Sequence, residues 1–457
     1  MFARHAHDRS GNRLHVGRRV KAFVVAALVT AVAGGAAVAI SATPSRAAGD
    51  RANDSISGSV GFVYGSFAPQ SQWENYFKGF NKLYPNVKIN YIPVPLDDWG
   101  SYATKVATLI AGGQKVDVIW IATEGVPSLA SRGVLAPLDS YLQKDKANPE
   151  LKNYLKDVSP ALLKALQYQG KQYELPFAWN DEEMWYNPAL FGAAHLPAPS
   201  PTWGKSWTWS DYLRDAQALT KDTNGDGTPD VYGTYVDTSW FSLEAWLYSN
   251  GTSLLTPDLK HAQVTNPKVE QTIQFLHDLV WKYHVAPQPS TTSVNDLFMG
   301  GKVAMFNAGR WPLQAFKPAK YTGYQVAPLP YKTTPGTTLG SDGYGITAHS
   351  SNPAAAWALV RYMTSTQVIG ALVNASAASS SIPARRSLST KPAMAPPSNY
   401  ATFYNSLNVA KPVQAGVHYP DLVNIATRYM SKVMANEMSV PAACAAMQKE
   451  MTAVLNS

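Results

Sequence analysis

Cysteine is almost absent from this chain of 457 residues: Cys444 stands alone, so no disulfide can form within it. A chain this long can bury a large core without one. Catalytic signatures are missing too. There is no G-x-S-x-G elbow, no glycine-rich phosphate loop and no H-E-x-x-H pair. His277 and His284 lie seven apart on one predicted helix, but two histidines without a third ligand make no metal site. Asp181-Glu182-Glu183 supplies three carboxylates in a row. Neighbouring side chains point apart, whereas a glycosidase needs two carboxyls facing each other across a cleft. A basic surplus is also lacking where it would matter. The net charge is +8, yet residues 1–47 hold seven of the 39 basic residues and one of the 31 acids. That leaves 32 basic against 30 acidic residues in the remainder, which removes the main support for a nucleic-acid partner.

What the chain does have is apolar and aromatic. Hydrophobic residues make up 46%, with 13 Trp and 24 Tyr. Such rings suit cores, and they also suit flat, partly polar ligands such as sugars. The first 47 residues have the three parts of a secretion signal: a basic stretch to Lys21, an uncharged run over Ala22–Ile40, and small residues at Ser45–Ala47. Export is therefore expected, with a mature protein beginning at Ala48. No cysteine follows the run to carry a lipid anchor. Cys444 itself sits in a helical pattern, "VPAACAAMQKEM", and reads as a small buried hydrophobe.

After residue 58 the pattern is β-α-β-α-β. Ser59–Tyr64 and Val87–Ile92 read as strands, Val116–Ala122 as a central strand, and helical spacing separates them. That is the opening of a doubly wound sheet, which binds ligands beyond the carboxyl ends of its strands. Those ends are Tyr64-Gly65-Ser66, Pro93–Leu96 and Thr123-Glu124-Gly125. Further helices are expected from Ser210 to Thr220, with Thr208 and Asp211 spaced as a capping pair. Others are expected over Phe241–Ser249, Val269–Tyr283, Asn352–Thr364, Leu422–Asn436 and Pro441–Asn456. No internal repeat and no long linker is visible.

One loop, "DTNGDGTPDVYG", carries oxygen ligands at Asp222, Asn224, Asp226, Thr228 and Asp230. Gly227 stands where a twelve-residue calcium loop turns sharply, but position twelve is Gly233 rather than a bidentate glutamate. The predicted context is helix–loop–strand. Calcium here is the one cofactor the sequence suggests, and none is required.

Several stretches in this order resemble the sugar-binding, maltose-binding-protein-like family of extracellular solute-binding proteins of ABC transporters. They are "FKGFNKLYPNVKINY", "TLIAGGQKVDVIWIATEGVPSLASRGVLAPLD", "GKQYELPFAWNDEEMWYNPALF", "FMGGKVAMFNAGRW", "NPAAAWALVRYMTS" and "SIPARRS". The resemblance implies two α/β lobes, each a doubly wound sheet flanked by helices. Three hinge crossovers near Ala178, Asn307 and Asp342 would join them, with ligand in the cleft between. It places 58–177 plus 307–341 in the N-terminal lobe and 178–306 plus 342–457 in the C-terminal lobe. It implies ligand contacts from Tyr64, Ser66, Glu124, Trp179, Asn180, Trp240, Arg310, Trp311, Asp342 and Tyr344. It also implies a monomeric receptor that binds carbohydrate and delivers it to membrane permease subunits. Two alternatives stay open: the same fold binding a peptide, polyamine or polyol phosphate, or a secreted carbohydrate-active enzyme.

Overall fold

A computed structural model describes residues 55–457, apart from 67–68, 97, 206 and 375–379. The expected secretion signal lies outside the described residues. Strand β1 (Gly58–Gly65) leads into helix α1 (Gln70–Leu83), whose Trp73, Phe77 and Phe80 face the core at helical spacing. Strand β2 (Val87–Val94) follows, then helix α2 (Trp99–Ala111) and strand β3 (Val118–Ala122). Asp98 starts α2 by accepting the Ser101 amide at 2.9 Å. β1 pairs in parallel with both β2 and β3.

The sheet then becomes mixed. β4 (Glu174–Asp181) and β8 (Thr337–Ile346) join it antiparallel, and the order is β9-β4-β8-β3-β1-β2. β9 is Ile382–Pro383, and β10 (Ala410–Pro412) pairs with β8. Both faces of this sheet are covered. Phe62 and Tyr64 of β1 enter one core, while Val63 enters another with Ile119 and Ile121.

A second sheet is smaller than the doubly wound one expected. β5 (Glu183–Tyr186) lies between β6 (Met305–Ala308) and β7 (Gln325–Pro328), all antiparallel. Around it pack α3 (Trp209–Leu219), α4 (Trp240–Ser249), α5 (Pro267–Trp281), α7 (Tyr419–Met434) and α8 (Val440–Leu455), which share one core. Thr208 and Asp211 form the capping box of α3. Cys444 is buried in α8, and burial pushes its thiol up to about 12.

The lobe boundaries differ from the expected ones. The chain first passes between sheets at Glu182, between β4 and β5. Asn307 is no passage: it lies inside β6 and pairs with Met184. The return comes between β7 and β8. Residues 342–346 therefore belong to the large sheet, and helix α6 (Pro353–Met363) packs on β1, β3 and β8. The last passage follows β10, before α7 joins the second core. The Gly-turn-strand pattern of "FMGGKVAMFNAGRW" fits an ordinary strand as well as a hinge, so local pattern could not separate them. Two passages are clasped together: the Thr337 hydroxyl donates to the Glu182 carbonyl at 2.7 Å.

Candidate functional site

At the carboxyl end of β3 the neighbouring strands form a recessed floor. Asp342 of β8 stands beside Ala122 of β3 on one side and Ala178 of β4 on the other. In the next row Gly340 pairs with Asn180. Small residues there leave a cavity of about 490 Å³, with Glu124 just beyond the strand end. Gly340 has a packing reason: a Cβ there would come within 2.9 Å of the Phe241 ring. Strand ends are pinned by Thr123, whose amide and hydroxyl both donate to the Ser341 carbonyl, at 2.8 and 3.0 Å.

The walls are aromatic. Trp73 and Tyr76 come from α1, Trp99 from the start of α2, Trp120 from β3, Phe241 from α4, and Trp311 from the loop after β6. Trp120 meets Trp73 at 5.9 Å and crosses Trp99 edge to face at 5.1 Å. On the other side Phe241 and Trp311 meet at 6.0 Å. Trp311 remains 37% exposed at the mouth. Its ring folds back over Gly309, where a Cβ would come within 2.1 Å of it. Polar residues of the lining are Gln72, Gln314, Ser341, Ser380 and Ser381 besides Asn180, Glu124 and Asp342.

The two carboxylates are tuned by burial. Trp120 Nε1 donates to Asp342 Oδ2 at 2.6 Å. Burial nevertheless pushes the Asp342 carboxyl up to about 6, with the Trp120 bond opposing. Burial raises Glu124 to about 7; its own backbone amide opposes, and the nearby charges of Asp342 and Asp98 add to the rise. Glu124 Oε2 is buried and has no hydrogen-bond partner.

Of the residues implied by resemblance, Glu124, Asn180, Trp311 and Asp342 line this cavity. Six others do not. Tyr64 is buried against Phe62 and Trp73, because alternation along β1 turns it into the core. Tyr344 is buried between Phe62 and Phe177. Trp179 points to the opposite side of β4 from Ala178 and is fully buried. Trp240 packs on Tyr419 at 5.8 Å in the second core. Ser66 is exposed, its amide held by the Val94 carbonyl. Arg310 is buried behind the cleft, where it donates to the Met394 carbonyl and lies over the Phe403 ring. Burial lowers its guanidinium to about 10.

Trp73, Tyr76, Trp99, Trp120 and Phe241 were missed. Trp120 could have been found: it lies two residues before Ala122, on the same face of a period-two strand that ends at the cavity. Trp73 and Tyr76 follow at three-residue spacing on α1, but the same spacing also marks a core face.

Two acidic stretches lie away from the cleft. Asp181, Glu182 and Glu183 are fully buried and do not line the cleft. In the loop 222–230 the carboxylates serve the turn. Asp222 accepts the Gly225 and Gly227 amides, at 2.7 and 2.8 Å, and Asp230 accepts the Thr223 amide at 2.8 Å. A side chain at Gly233 is excluded, since its Cβ would stand 2.0 Å from the Ala216 carbonyl. The missing twelfth ligand thus has a steric cause. Among the described residues no group of three or more His, Cys, Asp or Glu is placed to hold a metal ion.

The profile of the bacterial extracellular solute-binding proteins matches residues 64–369. A maltotriose-binding protein of Pyrococcus abyssi is 25% identical over 268 residues, covering 57% of this chain and 53% of that protein. The fold is similar to an ABC substrate-binding protein of Listeria monocytogenes solved with cycloalternan. That match has a TM-score of 0.76 and 24% identity, over 88% of this chain and 99% of the other. It is also similar to a solute-binding protein of Thermotoga lettingae solved with α-D-tagatose, with a TM-score of 0.72 and 24% identity, over 87% of this chain and all of the other. No described helix is long and apolar enough to cross a membrane. With two thirds of its length matched by that profile, the chain belongs to the bacterial extracellular solute-binding protein family.

Proposed function

We propose that this protein captures a sugar or oligosaccharide outside the membrane, delivers it to the permease of an ABC importer, and catalyses no reaction on it. The observation that carries this reading is the cleft, where carboxylates and amides form the floor and aromatic rings form the walls. A pyranose has faces rich in C–H, which rings cover, and an equator of hydroxyls. Carboxylates and amides pair those hydroxyls, leaving few unsatisfied. The maltotriose-binding relative and the sugar-bound neighbours support the same ligand class. A polyol phosphate is disfavoured, because among the described residues no cationic side chain lines the cleft.

The two sheets with their separate passages suit a receptor that closes on its ligand and presents the closed form to a permease. Titration calorimetry against malto-oligosaccharides, cyclic glucans and ketohexoses tests the ligand class, with chromatography of the mixtures afterwards. Saturable binding without new products is expected. Turnover would make it an enzyme, and silence across the whole panel would overturn the sugar reading.

A further inference from the structure

Among the described residues, the cleft wall holds two carboxylates and no Lys, Arg or His. Glu124 is more than nine-tenths buried, lines the cavity, and has an unpartnered oxygen. The charged neighbours acting on it are Asp342 and Asp98, both acids. Glu244 of α4 and Tyr419 of α7 feel its charge from the second lobe and bring no positive group. Arg310 lies behind the wall, bound to the Met394 and Ser381 carbonyls.

A buried carboxylate without a counter-charge is costly. A sugar hydroxyl gives it a hydrogen bond but no charge. A protonated amine gives both, and charge-assisted bonds are roughly twice as strong as neutral ones. The faces of Trp73, Trp99 and Trp120 attract cations as well.

We propose that the cleft is selective for an amino-bearing saccharide, whose protonated nitrogen binds against the Glu124 and Asp342 carboxylates. This rests on the carbohydrate reading and narrows it to basic sugars.

The test uses matched pairs in which ammonium replaces hydroxyl: maltotriose with its 6-amino-6-deoxy analogue, and cellotriose with the glucosamine trimer, which carries three such replacements. Calorimetry is run on the full exported chain at about pH 8, above the raised values of both cleft carboxyls, where a primary 6-amino group is still protonated. In at least one pair the amine should bind tighter by about tenfold, as expected for a hydrogen bond to a charged partner. Raising the salt should shrink that ratio less than it would at an exposed site. Glu124→Gln should bring the ratio toward one, and Asp342→Asn should lower it. Reading a ratio cancels general damage to the cleft, and thermal melting confirms that each variant is folded. If the neutral members bind as tightly as the amines, the proposal falls while the sugar reading stands. If no member of either pair binds, and the wider sugar panel is also silent, both fall.

Discussion

Two acidic stretches of this chain look alike as text and behave as opposites. Asp181-Glu182-Glu183 lies at the first passage between the sheets and is fully buried. Asp222, Asp226 and Asp230 stand on an exposed loop. Burial raises Asp181 to about 7, opposed in part by the neighbouring Ser406 and Glu183 side chains. It raises Glu182 and Glu183 well above the carboxylate range. On the loop, bonds from Thr223 instead hold Asp230 below its usual value. The first stretch joins lobes, and its Glu182 carboxyl is held by specific donors while those of Asp181 and Glu183 have no hydrogen-bond partner among the described residues. Ser242 donates to Glu182 at 3.0 Å, and Asn307 donates to it at 2.8 Å. The second shapes a turn. The cleft acids Glu124 and Asp342 are buried like the first stretch but open toward a ligand. Position relative to water, not residue type, decides what a carboxylate does here.

The largest effect expected from this contrast is on stability against pH. A carboxyl whose folded value is raised holds its proton in the folded state after the unfolded chain has lost it. Folding then binds protons, so stability is full below about 4 and is lost as pH rises to about 7. A three-unit rise such as that of Asp181 is worth up to about 4 kcal/mol. Urea midpoints should therefore fall between pH 5 and pH 7.5. Asp181→Asn should flatten that slope. A midpoint that rises over this range would show that the buried acids are paired in ways the described contacts lack.

Next in size comes the cleft. Trp311→Ala removes an exposed ring at the mouth, so binding should weaken by roughly 2–4 kcal/mol, as for aromatic hot spots. Stability should hardly change. Trp120→Ala should cost both, because that ring is buried and holds Asp342. Calorimetry alongside thermal melting separates the two. Equal losses of stability in both variants would erase the distinction between the mouth and the floor.

Much of this was legible in the sequence, and the reason is periodicity. Each of the first three strands lies within a residue or two of its expected bounds, as do the helices at Trp240–Ser249 and Pro353–Met363. Alternation in "VDVIWIA" could have placed Trp120 on the face of Ala122, at the strand end that leads to Glu124. What period two does not say is which face of a strand meets ligand and which meets core, and Tyr64 and Trp179 were misplaced for that reason. Nor does it say which strand a segment will pair with. The resemblance puts a hinge near Asn307, while its β6 neighbours pair within the second sheet. Arg310 shows a third gap. A guanidinium beside a cleft residue can point into the cleft or away, and only the Met394 carbonyl and the Phe403 ring decide it.

The smallest expected effect concerns the exposed stretch. A calcium loop of this kind draws its strength from a bidentate carboxylate at position twelve. Here that position is Gly233, and the Ala216 carbonyl leaves no room for any side chain. The remaining oxygens already have work. Asp222 accepts two loop amides, Asn224 accepts the Asp226 amide at 2.8 Å, and Asp226 accepts the Thr228 amide at 2.8 Å. Gly225 and Gly227 take the left-handed conformation that the turn needs, with φ of 77° and 88°. The Lys221 and Val231 backbones close the loop at its base. We therefore expect EDTA to leave the melting temperature unchanged, and added calcium to do the same. Asp222→Ala should lower it slightly, because the turn loses both amide bonds whether or not an ion is present. A fall with EDTA that calcium reverses, and that Asp222→Ala abolishes, would show that the exposed carboxylates gather an ion after all. The contrast with the buried stretch would then be between metal-bound and proton-bound acids.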